Sequence, residues 1–138
     1  MEFSRRETLA LGLGAAALTV LPMRAMAAAD EAIAAFTGGA DVAEGGVTLT
    51  APEIAENGNT VPVSVSAEGA VSIMILAAGN PTPGVATFNF GPLAGSRSAS
   101  TRIRLAGTQD VVAIAKMEDG SFARASSTVK VTIGGCGG

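Results

Sequence analysis

Between Val47 and Ile133 the chain is a succession of short β-branched runs, each closed by turn residues. "VTLTAP" (Val47–Pro52) precedes the turn "ENGN" (Glu56–Asn59), then come "TVPVSVSA" (Thr60–Ala67) and "AVSIMILAA" (Ala70–Ala78). The turn "GNPTPG" (Gly79–Gly84) leads to "VATFNF" (Val85–Phe90) and "SASTRIRLA" (Ser98–Ala106). "DVVAIAKM" (Asp110–Met117), the turn "EDGS" and "FARASSTVKVTI" (Phe122–Ile133) complete the series. Strands at this spacing, with no long helical period among them, predict an all-β sandwich over residues 46–133.

Alternation assigns the faces. In "STVKVTI", Val129, Val131 and Ile133 share one face, and Thr128, Lys130 and Thr132 the other. Ile103 and Leu105 point inward, and Arg102 and Arg104 lie on a solvated face rather than forming an anion site. "VSIMILA" (Val71–Ala77) is apolar on both faces, which fits either a central core strand or a face covered by a second subunit; we expect the second subunit. Met74, Phe88, Phe90 and Phe122 read as core filling rather than a ligand box.

Ahead of the strands, "DEAIAAFTGG" from Asp30 has acidic residues in its first turn, an alanine-rich centre and a paired-glycine stop, so residues 28–45 hold a short helix and a linker. Residues 1–27 read as an address. Arg5 and Arg6 precede an apolar run from Thr8 to Leu21 and then Ala25-Met26-Ala27, the parts of a cleaved export signal. The run is too short and too glycine-interrupted for a spanning helix, which takes roughly 20 apolar residues. The paired arginines point to the twin-arginine route, and so to the periplasm.

Composition narrows the chemistry. Among 138 residues there is no His, Trp or Tyr, one Cys, 18 Gly and a net charge of −3. Without His, neither a Ser-His-Asp centre nor His-ligated zinc or haem is available. A single Cys removes CxxC redox centres and thiolate clusters, so no metal site and no resident cofactor is expected. A mildly acidic chain with no basic stripe is a poor nucleic-acid binder. A carrier or binding module fits better than a self-sufficient enzyme.

The one cysteine, Cys136, stands at the end of "VKVTIGGCGG" between Gly134, Gly135 and Gly137, Gly138. An unpaired thiol in an exported protein implies intermolecular pairing or reactivity. Glycine has no Cβ, so residues 134–138 are expected to form a mobile arm able to enter a narrow cleft, the architecture of a group carrier. Three residues from Ile133 to Cys136 reach at most about 10 Å. Nothing in the tail activates the thiol, so a partner's pocket has to. Two other classes compete: an exported immunoglobulin-like binding module tethered by an intermolecular disulfide, and a thiol-dependent peroxidase, which would need nearby cations and a resolving cysteine.

The tail, the leader, "APEIAENGNTVPVSV" (Ala51–Val65), "NPTPGVATFNFGP" and "STRIRLAGTQDVVAIAKMEDGSF" together resemble the SoxY family, sulfur carriers of the Sox thiosulfate-oxidising system. The resemblance implies an immunoglobulin-like sandwich paired with a SoxZ-like β-sandwich subunit. It also implies that Cys136 is joined covalently to thiosulfate by a c-type cytochrome, and that a separate hydrolase releases sulfate. In some members a molybdenum–haem partner then oxidises the sulfane sulfur that remains. The carrier itself catalyses none of these steps.

Overall fold

The structure is a computed structural model and describes residues 27–135. The expected leader, including Arg5 and Arg6, lies outside the described residues, as do Cys136, Gly137 and Gly138.

Helix α1 (residues 27–37) comes first. Ala29, Ala32, Ile33 and Phe36 recur at helical spacing and form its inner stripe. It stops where Gly38 adopts a φ of 67° and donates its N–H to the Ala34 carbonyl at 2.8 Å, a left-handed turn that glycine takes without steric cost. Nine strands follow: β1 (Val42–Glu44), β2 (Thr48–Thr50), β3 (Ile54–Asn57), β4 (Val61–Ser66), β5 (Ala70–Ala77), β6 (Gly84–Asn89), β7 (Ser98–Ile103), β8 (Gln109–Met117) and β9 (Phe122–Ile133). The larger sheet runs β1-β9-β8-β5-β6, with β3 also on β9; the smaller runs β2-β4-β7. The sandwich and its helix are as the pattern predicts.

Two strands are additions. β1 and β3 both lie parallel to β9, β1 along Phe122–Arg124 and β3 along Lys130–Ile133. Parallel neighbours need a crossover. Here β4–β8 make the crossover from β3 to β9, and the chain passes from β1 to β3 by way of β2 in the smaller sheet. Neither segment has a strand-like pattern of its own; each is defined by the edge it meets.

The core between the sheets holds Val61, Val63 and Val65 of β4 against Ile73, Ile75, Val111, Ala113 and Val129, with Ile103 and Leu105 closing one end. A second cluster lies on the far side of the larger sheet. There Met74, Leu76, Val112, Ile114 and Phe122 are covered by Ile33, Phe36 and Val42. Phe36 meets Phe122 edge-on, with ring centroids 6.0 Å apart. This corrects the reading of Val71–Ala77. The strand is central and its second face is covered by the chain's own helix, so its apolarity gives no sign of a second subunit. Phe88 and Phe90 pack on the sandwich core from the edge, and Arg102 and Arg104 are exposed.

Candidate functional site

The expected carrier arm leaves the end of β9, and four stretches of chain meet at that point. The turn after β3 brings in Gly58, whose N–H donates to the Ile133 carbonyl at 2.7 Å. Gly58 also accepts from the Leu105 N–H at 2.8 Å, and the Leu105 carbonyl accepts from the Gly135 N–H at 2.8 Å. Ile133, Gly58, Leu105 and Gly135 are thus linked in series by three main-chain hydrogen bonds. Leu105 is fully buried, and Gly135 is buried as well.

Glycine is needed here for room. A Cβ on Gly58 would run into the Leu105 carbonyl oxygen, and would lie 2.8 Å from the Gly135 nitrogen and 2.9 Å from Val131 Cγ1. A Cβ on Gly134 would strike the Ala106 carbonyl oxygen, and one on Gly135 would lie 2.8 Å from the Gly58 carbonyl oxygen. Three backbones approach so closely that none of the three positions has space for a side chain.

A buried amide holds the middle segment. Asn80, only 2% exposed, donates from Nδ2 to the Arg104 carbonyl at 2.8 Å and accepts at Oδ1 from the Ala106 N–H at 2.9 Å. Gln109 Nε2 donates to the same Oδ1 at 2.8 Å and to the Gly107 carbonyl at 3.0 Å. Gln109 Oε1 in turn accepts from the Gly79 N–H at 2.8 Å. Both faces of Leu105 are therefore fixed, by Asn80 through its flanking peptides and by Gly58 and Gly135 through its own. The Val131 N–H adds a bond to Thr108 Oγ1 at 3.0 Å.

Gly134 and Gly135 thus depart from the free arm expected of them: they are seated against the domain. Of the other expected site residues, Cys136, Gly137 and Gly138 fall outside the described residues. Sequence reasoning missed Gly58, Asn80, Leu105 and Gln109. A signal was there, because each belongs to one of the segments that carry the family resemblance, and those segments converge on the root of the arm. Among the described residues, no three His, Cys, Asp or Glu side chains gather at metal-ligand range.

The family described as sulfur oxidation protein SoxY matches residues 33–136, from α1 through the cysteine. The chain belongs to the SoxY family. Of solved structures, the sulfur carrier protein SoxY of Chlorobium limicola f. thiosulfatophilum is 40% identical, with a TM-score of 0.67, over 75% of this chain and 96% of that one. The superoxide reductase (neelaredoxin) of Ignicoccus hospitalis superposes with a TM-score of 0.56 at 17% identity, over 63% of this chain and 80% of that one. A putative superoxide reductase of Thermotoga maritima gives 0.52 at 14% identity, over 70% and 89%. The last two likenesses are of fold alone. No curated protein matches the chain.

Proposed function

We propose that this chain is a sulfur carrier that holds its cargo on Cys136 and is itself not an enzyme. The observation that carries the reading is the reach of the SoxY match, which runs through the whole sandwich and ends on the sole cysteine. In this reading residues 1–27 direct export to the periplasm through the twin-arginine route. Among the described residues no helix is long and apolar enough to cross a membrane.

Loading joins the Cys136 sulfur to the sulfane sulfur of thiosulfate. One S–S bond forms, the thiol proton leaves, and two electrons pass to a c-type cytochrome partner. Water then cleaves the bond between sulfane sulfur and sulfonate in a hydrolase, releasing sulfate and two protons and leaving a persulfide on Cys136. Where a molybdenum–haem partner exists, it oxidises that sulfane sulfur. The carrier binds a SoxZ-like β-sandwich subunit, and the chain supplies reach and a defined point of attachment while its partners supply redox and acid–base groups.

The test is intact-mass analysis of protein from a thiosulfate-grown host, prepared without reductant. Additions corresponding to sulfane sulfur or thiosulfonate are expected, removable by a thiol because an S–S bond exchanges with thiolate. Cys136→Ser should carry none. A bare thiol in every preparation would refute the carrier reading.

A further inference from the structure

We infer that Gly58, some eighty residues from the cysteine in sequence, is a positioning residue for the carrier thiol: with Leu105 it clasps the tail at Gly135, so that the arm pivots there and not at Ile133. The inference rests on the carrier reading for its purpose, but its geometry stands on hydrogen bonds already in place. Gly58 bonds both the strand end and Leu105, and Leu105 bonds Gly135. These links set the position of the last residue before the cysteine relative to the sandwich. Measured from Gly135, one residue and a side chain separate the sulfur from fixed structure, about 3.5 Å of backbone in place of about 10 Å. A root fixed at Gly135 leaves the sulfur a smaller volume to sample than an arm free from Ile133 would. Confinement raises the fraction of encounters in which a partner's cleft finds the sulfur in reach, because less freedom has to be lost on docking.

Two ideas about the glycines are thereby separable. If they serve only to keep the tail flexible, Gly58 is irrelevant to turnover, and Gly135 and Gly137 are equivalent. If they form a clasp, Gly58→Ala and Gly135→Ala behave alike and Gly137→Ala does not share their effect on the root. The experiment compares these three variants of the exported protein by two readouts. One is amide hydrogen exchange at Gly135, referred to Ile114 in the core. The other is kcat and KM for loading by thiosulfate with the oxidising cytochrome, with iodoacetamide alkylation reporting the bare thiol. The clasp predicts that Gly58→Ala and Gly135→Ala each speed exchange of the residue-135 amide, relative to Ile114 and to that residue type's unprotected rate, by about tenfold, as expected for losing one partly shielded hydrogen bond. It also predicts that both raise KM severalfold while alkylation is unchanged.

An unaltered exchange ratio in both variants overturns the clasp. Faster exchange with unaltered loading kinetics overturns the positioning role. Should Gly58→Ala not fold, Gly135→Ala decides both points from the tail side, since it removes no core contact. Failure of the wild-type protein to load under any condition defeats the carrier reading instead, and the exchange ratio still reports on the clasp.

Discussion

The two ends of β9 are held by opposite means. At Phe122 the strand is fixed by bulk: Phe122 and Ala123 are buried, Phe36 packs edge-on against the ring, and α1 closes over the sheet. At Ile133 the side chain is 65% exposed, and the strand end is held by main-chain bonds around Gly58, Gly134 and Gly135, positions with no room for a side chain. Apolar area stabilises the first end, at about 1.5–3 kcal/mol for each large side chain taken out of water. Main-chain bonds hold the second, each contributing about 1 kcal/mol net. The difference suits their tasks. The end remote from Cys136 is packed, and the end that leads into Cys136 is directed; under the proposed function that is the end that delivers the cargo.

Truncating the packed end should produce the largest loss of stability. Phe122→Ala removes a buried ring and is expected to cost about 3–5 kcal/mol by urea unfolding. Because it acts at the far end of the strand, the exchange rate at Gly135 itself should stay at its wild-type value while Ile114, which packs beside Phe122, exchanges faster. If Gly135 speeds up in step with Ile114, the two ends are one cooperative unit and the comparison fails.

At the directed end, Asn80→Ala strands the Ala106 N–H and the Arg104 carbonyl, which held the Leu105 segment, and takes from Gln109 Nε2 one of its two acceptors. We expect a loss of about 1–3 kcal/mol. Here, unlike at Phe122, Gly135 exchange should speed up by more than the global loss explains. A change confined to global stability would show that Leu105 needs no help from Asn80.

The smallest effect belongs to the turn feeding β9. Asp119 Oδ1 accepts from the Ser121 hydroxyl at 2.6 Å and from the Ser121 N–H at 2.8 Å. These bonds, the hydroxyl first, hold its carboxyl below the ordinary 3.8. A depressed folded value stabilises the protein above the unfolded value, and the benefit is lost as pH falls through the folded one. The difference in urea midpoint between wild type and Asp119→Ala should therefore be small at neutral pH and shrink below pH 3.8. A difference that grows on acidification would contradict the sign.

What the sequence disclosed follows the same division. The sandwich was legible because side chains write periodicity: Val129 and Val131 alternate with polar neighbours along β9, and the helix was legible from its acidic first turn and paired-glycine stop. The two-faced strand β5 was legible as apolar, but what covered its second face depended on where α1 folds back, which no local pattern records. β1 and β3 stayed hidden because three or four residues carry too little pattern, and pairing along β9 decides their state. Cys136 was conspicuous. The Asn57-Gly58 pair looked like a turn, and it is one; that Gly58 also makes room for two other backbones is a fact of tertiary proximity between positions far apart in the chain.

The parallel placement of β1 and β3 has a consequence for the order of events during synthesis. Among the described strands β9 is made after all the others, and it is the one on which both early strands depend for their pairing. Neither can settle until β9 itself has been made, and contacts of such long sequence separation form slowly. The seat for Gly135 draws on the turn after β3, the segment after β7 and the end of β9, so it is among the last features to assemble. A nascent or truncated chain that lacks β9 has no seat to offer Gly135, so the seat exists only on a sandwich that is already whole.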